Sequence, residues 1–531
     1  MTGTRKGRLV LTAIALACVA AMSPSPPPPP TPPDPTPEIT PTITPEPTPS
    51  VSVDPTPTPT LVIPSQGSPP RPPRSGNTRP PTPPQPDRCP DAGEFDFDGD
   101  GQDDAVVGDP FAGFGSARGG RLFLLHGRPG APLDPAVQAM DASTPGWIAR
   151  PGHIDGDRCM DLVVANPFAD GRRGSSTVHG SGIAYVYWGG PDFGRVATRL
   201  ELKPPVARSS ARFGWSVAVR DGLVAIGAPY EDADDTIDSG AVYLFDLKDR
   251  KAGKPQRITQ NSPGVPGIGQ PGDMFGWAVT LGRLGGSPGA TDLAVGVPFE
   301  DREESGQTDT GGLTVVYDVS SHPSRYRGAK WDLSTVTDEI PSNSGDDFGY
   351  SLRFGKDGDQ GYLAVGAPKA DPEGVRDAGV VVLFEVTDSG PRYLRTLRQG
   401  LDIVGDSPDP GDRFGWSVAI SGPYVLVGAP GESGPTTPES GAVNVVPLGN
   451  GSAGLMTTLD DPQPYDHFGW SVSAFGDGRF LIGAPDRGTT GTVAVVTTAT
   501  AASGRNLREL SPERAGPAGT QFLDFGSAVA G

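Results

Sequence analysis

Residues 96–104 read DFDGDGQDD, and their types and spacing suit a hard cation. Asp96, Asp98 and Asp100 alternate, Gly101 permits a tight turn, Gln102 offers a main-chain carbonyl and Asp104 closes the loop. Oxygen ligands at positions 1, 3, 5, 7 and 9 converge on an ion of calcium size. An EF-hand would need Glu at position 12, but Val107 stands there, inside an apolar run that reads as a strand. The loop is therefore expected to join strands, not helices. A solvated acidic turn is the plainer alternative; five spaced oxygens with the glycine favour calcium.

A second copy, HIDGDRCMD at 153–161, keeps Asp155, Asp157 and Asp161 as a weaker metal candidate. His153 replaces the first carboxylate, and Arg158 replaces the glycine with a charged residue that resists positive φ. Weak or no binding is expected there. The acidic runs EDADDTIDSG from Glu231 and EDREESGQTDTGG from Glu300 read as solvated loops, with facing a ligand as the alternative for either.

No catalytic residue is assigned. The five histidines are scattered, and no Ser or Cys sits in a nucleophile elbow. His467 reads as a surface residue at the start of a strand. Paired carboxylates recur at turns and need no catalytic explanation.

The chain has 531 residues, 75 of them Gly, and a formal charge of −20. That charge disfavours nucleic acid or an anionic membrane surface as a direct partner. Residues 1–21 read as an export signal: Arg5, Lys6 and Arg8 precede the apolar run LVLTAIALA. Cys18 follows that run, where two readings stand side by side, lipidation of Cys18 as a membrane anchor or ordinary signal cleavage. Residues 22–88 are a Pro/Thr-rich linker, with 28 of the 62 prolines between 21 and 90. Such sequence cannot pack a core and is expected to be a disordered, extended spacer. No later segment is long and apolar enough to cross a bilayer.

What must position the acidic loops is a repeat filling residues 89–531. Three signatures recur every 54 to 73 residues. Phe-Gly-aromatic-Ser-Val or a close variant starts at Phe213, Phe275, Phe348, Phe414 and Phe468, with a bare FGSAV at Phe525. An apolar run into Gly-x-Pro, with Ala for Gly once in VVANP at Val163, occurs seven times, from VVGDP at Val106 to LIGAP at Leu481. Gly before alternating β-formers also occurs seven times, as in SGAVYLF. With a looser closing stretch, each unit offers four short strands, the first expected to hold Phe, Trp and Val on one face. Four-stranded units repeated seven times predict an all-β, seven-bladed β-propeller. The first Gly-x-Pro strand has no Phe-Gly partner before it, and the last Phe-Gly has no Gly-x-Pro after it. Residues 525–530 are therefore expected to pair with the strand around Ala105–Val107 and close the ring.

These beats resemble the FG-GAP repeat of the N-terminal propeller of integrin alpha subunits and of many exported bacterial proteins. The resemblance spans residues from about 90 to 531. It implies an extracellular binding propeller, often loaded with calcium in D-x-D-x-D-G-x-x-D loops like that of Asp96–Asp104. On a propeller, Cys89 and Cys159 lie in corresponding loops of adjacent units, so they are a candidate disulfide in an oxidising compartment. The expected function is an exported or surface-anchored, calcium-binding adhesion scaffold for a protein or glycan ligand, monomeric and not an enzyme. The alternative is an extracellular hydrolase or lyase with its active site in a propeller cleft.

Overall fold

The computed structural model describes residues 89–530, apart from 91, 113–119, 129–132, 134–136, 141–145, 196–197, 303–304, 402, 405–406, 450–453, 477, 498–506 and 513–523. The export signal, Cys18 and the Pro/Thr-rich linker lie outside the described residues.

Seven antiparallel sheets form the blades, six of four strands and one, blade 3, of five. Their inner strands are Ala528–Ala530 (blade 1), Ile148–Gly152 (blade 2), Val217–Arg220 (blade 3), Ala278–Gly282 (blade 4), Ser351–Asp357 (blade 5), Ser417–Ser421 (blade 6) and Ser471–Ala474 (blade 7). Each inner strand touches those of the blades on either side, and the cycle closes from blade 7 through blade 1 to blade 2. Blade 1 takes its inner strand from the C-terminal stretch: Val106 pairs with Ala530, Val107 with Val529 and Gly108 with Ala528. The ring thus closes as the orphan strands predict.

Within a blade, short turns set the order. In blade 3 the inner strand returns through Asp221 and Gly222, both at positive φ (50° and 79°), with Arg220 opposite Leu223. Asp-Gly in this two-residue hairpin matches the right-handed twist of its strands. Between blades, the core divides into seven apolar clusters, one per joint. Phe475, Leu481, Phe123 and Phe525 fill the joint of blades 7 and 1. Phe97, Val106, Leu122 and Leu162 fill that of blades 1 and 2.

One expectation is corrected. Phe-Gly-aromatic-Ser is not the start of a strand but a tight turn leading into one; in blade 3 the strand begins only at Val217. The Gly forces this, with φ between 94° and 99° at Gly214, Gly276, Gly349, Gly415, Gly469 and Gly526. The turn sends its two aromatics to different places. The Phe is wholly buried in all six repeats that carry it, whereas Trp215, Tyr350, Trp416 and Trp470 stay half-buried.

The Gly-x-Pro glycine also has a steric reason. A Cβ on Gly227 would lie 2.0 Å from the carbonyl oxygen of Gly276, the Phe-Gly glycine of the next blade. The same approach recurs at Gly296 against Gly349, Gly366 against Gly415, Gly428 against Gly469 and Gly483 against Gly526, at 1.9 to 2.2 Å. Across four of the joints a Ser hydroxyl donates to that carbonyl as well: Ser216 to Gly276, Ser351 to Gly415, Ser417 to Gly469 and Ser471 to Gly526, at 2.7 to 2.8 Å.

Two outcomes test this architecture. Deleting residues 524–531 should strip blade 1 of its inner strand and sharply lower the melting temperature; a truncated chain that melts like the full one would refute ring closure by this strand. Gly428→Ala should cost about 1–3 kcal/mol in denaturant unfolding, as overpacking does. Gly449→Ala, whose Cβ would meet nothing within 4 Å, should be close to neutral.

Candidate metal loop and channel mouth

The Asp96–Asp104 loop leads into the strand Ala105–Asp109 of blade 1. Buried Asp96 accepts Gly99 N–H (2.6 Å) on one oxygen and Gly101 N–H (2.8 Å) on the other, folding the chain around itself. Asp98 accepts from Asp100 N–H (3.1 Å), and Asp100 from Gln102 N–H (2.8 Å). Asp104, also fully buried, accepts Phe97 N–H (3.1 Å) and Gly127 N–H (2.9 Å), so it anchors both ends of the loop. The Gln102 side chain turns back to donate to the Gly101 carbonyl.

Oxygens of Asp96, Asp98 and Asp100 converge within 4.8 Å of one another, and Asp98 and Asp104 converge likewise with His126. Burial, with the Asp98 charge adding to it, pushes the Asp104 carboxyl up to about 7. Burial also raises Asp96, against its two backbone hydrogen bonds. His126 moves Asp98 the other way: its Nδ1 lies 2.9 Å from the carboxylate and holds that pKa down. Crowded, partly desolvated carboxylates are the environment a divalent cation relieves. The residues fit calcium: Asp96, Asp98 and Asp100 would hold it by carboxylate oxygen and Gln102 by its carbonyl, whereas Asp104 groups with Asp98 and His126 instead. The ion would supply charge and loop rigidity.

His126 escapes sequence reasoning because it lies just beyond the strand Arg121–Leu125; only the β-ladder beside Ala105–Asp109 returns it to the loop.

The second loop follows the inner strand of blade 2, beside the first. Asp161 copies Asp104, accepting Ile154 N–H and Gly189 N–H at 2.8 Å each, and burial lifts it to about 7. Asp155 and Asp157 meet a guanidinium from blade 3: Arg250 Nε lies 2.6 Å from Asp155, and its Nη2 lies 3.4 Å from Asp157. A protein cation thus neutralises this loop. Arg158 does not enter it, donating instead to the Pro90 and Ala92 carbonyls. Cys89 and Cys159 form a disulfide with Cα atoms 5.3 Å apart, tying the segment before the first loop to the second.

Two further readings are corrected. Glu231 and Glu300, which open the acidic runs, are buried rather than solvated. Glu231 accepts from Tyr243 and Arg257, and Glu300 pairs with Lys330. His467 is only 8% exposed, clamped between Asp486 (2.7 Å, Nδ1) and Glu439 (3.2 Å, Nε2). The repeat pattern could not show these partners, which come from separate loops.

At the opposite end of the inner strands from the metal loop, the aromatics of the Phe-Gly turns form a collar. Ring centroids run Trp147–Trp215 5.4 Å, Trp215–Trp277 4.8 Å, Trp277–Tyr350 5.4 Å, Tyr350–Trp416 4.9 Å and Trp416–Trp470 4.9 Å. Blade 1 interrupts it with Ser527. Phe168, Tyr230 and Phe299 add an outer rank over blades 2 to 4.

Two measurements check these sites. Calcium at a hundredfold excess over its dissociation constant should stabilise the fold by about 2.7 kcal/mol, and Asp98→Ala with Asp100→Ala should abolish that rise. A wild-type melting curve indifferent to chelator would exclude calcium. For His467, burial alone would lower the pKa, but the bonds and charges of Asp486 and Glu439 outweigh it and hold it raised. A raised folded pKa stabilises fully below the unfolded value of about 6.5, and that stability fades as pH climbs through the folded value. Wild type should therefore lose more melting temperature than His467→Gln on the alkaline side of that value.

The FG-GAP repeat family matches at residues 200–245, 403–446 and 457–495. Phosphatidylinositol-glycan-specific phospholipase D of Bos taurus is 27% identical over 242 residues, 42% of this chain and 26% of its own length. The chain thus matches about a quarter of that relative. Among solved structures, a putative 6-phosphogluconolactonase from Bacteroides fragilis aligns with 80% of this chain and 97% of its own, at 12% identity and TM-score 0.44. A periplasmic gluconolactonase of Pseudomonas aeruginosa aligns over 80% and 98%, at 16% identity and TM-score 0.43. The three matches fall on blades 3, 6 and 7, so FG-GAP repeats build these blades of a β-propeller closed at seven.

Proposed function

We propose that this propeller is an exported or surface-anchored, calcium-stabilised scaffold that binds a protein or glycan partner at the cell surface, as a monomer. The observation that carries the reading is the collar. Its rings are needed neither for the blade cores, which the neighbouring Phe residues fill, nor for the turns, since Ser527 serves in blade 1. Half-buried rings on either side of the buried Trp277, each about 5 Å from the next, make a rigid apolar platform. Such rings give large contact area at low entropic cost and dominate binding hot spots. The metal loop lies at the far end of the strands, so calcium serves the ring rather than touching the partner.

The similarity to a phospholipase D favours a second reading, a hydrolase acting in a propeller cleft. The buried His467 lends it no support, because carboxylates engage both ring nitrogens.

The test is capture from cell-envelope extract by the full chain and by Trp416→Ala with Trp470→Ala. The double variant should lose the captured partner while keeping its calcium-dependent melting temperature. Equal capture by both would remove the collar from the account, and turnover of a glycan or phospholipid panel by the wild type would favour the hydrolase.

A further inference from the structure

The inner strands place one residue from each blade at every level around the axis, where a small side chain packs into the joint between blades. Three residues beyond the collar position, this level reads Ala530, Arg150, Ala218, Thr280, Arg353, Ala419 and Ser473 from blade 1 to blade 7. The ladders hold them in equivalent register: Arg150 opposite Val163, Ala218 opposite Ala225, Arg353 opposite Ala364 and Ala530 opposite Val106. Five blades need only a small residue here, so packing does not explain two arginines. Their blades, 2 and 5, face each other across the ring. The level lies roughly 10 Å below the collar at strand rise.

Both guanidinium-bearing residues are half-buried, and among the described residues neither meets a carboxylate. Arg150 donates to the carbonyl of its neighbour Ala149 (3.1 Å), and among the described residues no hydrogen bond or ion pair engages the Arg353 side chain. Arg220 of blade 3 lies over the Phe354 ring of blade 5 at 5.6 Å, with the Asp221 carboxylate 3.2 Å from its Nε. Burial, with the Arg353 charge adding to it, pushes Arg150 down to about 9, so the two cations feel each other. Like charges held together without a counterion are costly. In a chain of formal charge −20, two cations without a carboxylate partner, Arg150 and Arg353, mark a place for something acidic from outside.

We propose that Arg150 and Arg353 form a channel site for a tetrahedral oxyanion, free phosphate or the phosphate group of a monoester. Two opposed guanidinium forks match the two opposite oxygen edges of a tetrahedron, whereas a carboxylate offers one edge. The site stands apart from the collar reading, because Trp416→Ala with Trp470→Ala should leave it intact.

Titration calorimetry of the full chain with inorganic phosphate, glycerol phosphate, acetate and chloride at constant ionic strength tests the proposal. Saturable phosphate binding is expected, weakened at least tenfold in Arg150→Gln and Arg353→Gln and absent for acetate and chloride. Glycerol phosphate binding more tightly than phosphate would identify a monoester as the ligand; the reverse order would identify the free ion. Without anion, Arg353→Gln should melt no lower than wild type, since it removes a like charge. Arg353→Lys, which keeps charge and loses the fork, should fold and bind more weakly. Absence of phosphate binding, or equal binding by wild type and these variants, would overturn the site.

Discussion

At five of the joints between blades a glycine stands against a carbonyl oxygen with no room for a side chain, and the spacing of the blades depends on it. Gly227, Gly296, Gly366, Gly428 and Gly483 each lie under the carbonyl of the next Phe-Gly glycine, where a methyl group would stand within about 2 Å of the oxygen. That carbonyl is aimed by the positive φ of its own glycine. The two glycines of the motif thus belong to one joint made by neighbouring repeats. Because the joint repeats with the same geometry, whatever side chain follows the Phe-Gly pair recurs at the same spacing around the channel. The collar's centroid distances of 4.8 to 5.4 Å follow from that regularity.

The joints are not identical, and their differences locate the molecule's other devices. Ser hydroxyls lock the joints after blades 3, 5, 6 and 7. The joints after blades 1, 2 and 4 carry Ala528, Ile148 and Ala278 at the Ser position and have no hydroxyl to give. Each has another tie. The Cys89–Cys159 disulfide joins the loops of blades 1 and 2. Arg250 of blade 3 grips Asp155 and Asp157 of blade 2. Thr280 of blade 4 accepts the Phe354 N–H of blade 5 at 3.2 Å. The decayed acidic loop has therefore exchanged a place for a metal for a salt bridge across the joint where it stands.

Much of this was legible in the sequence because repetition amplifies weak signals. One Gly-x-Pro strand means little, but seven in register fix the blade number, and two orphan signatures identify the closing pair. Alternating aspartates likewise reveal a loop whose parts are adjacent in the chain. What stayed hidden depends on contacts between loops. The Phe-Gly-aromatic-Ser stretch alternates like a strand, yet the glycine's φ makes it a turn. His126 and Arg250 reach the acidic loops from other strands and other blades. The buried roles of Glu231 and His467 depend on partners such as Arg257 and Asp486 that no local pattern joins.

The channel arginines are the extreme case of that rule. Arg150 sits in the one inner strand whose repeat signature is degenerate, and Arg353 in a repeat with Tyr in place of Trp. Neither stands out until the ring is closed and the positions three residues past the collar are read around the circle. Closing the ring turns seven sequence-distant positions into one level, and at that level a mostly small, uncharged set contains two facing cations. A symmetric scaffold makes departures from symmetry meaningful, because the five small residues at that level already supply what the fold requires. The side chains that exceed this requirement, the collar rings at the mouth and the guanidiniums below, lie along a single axis. The scaffold therefore concentrates its unexplained chemistry in the channel, while the metal loop and the disulfide at the far rim hold the seam that keeps the channel closed.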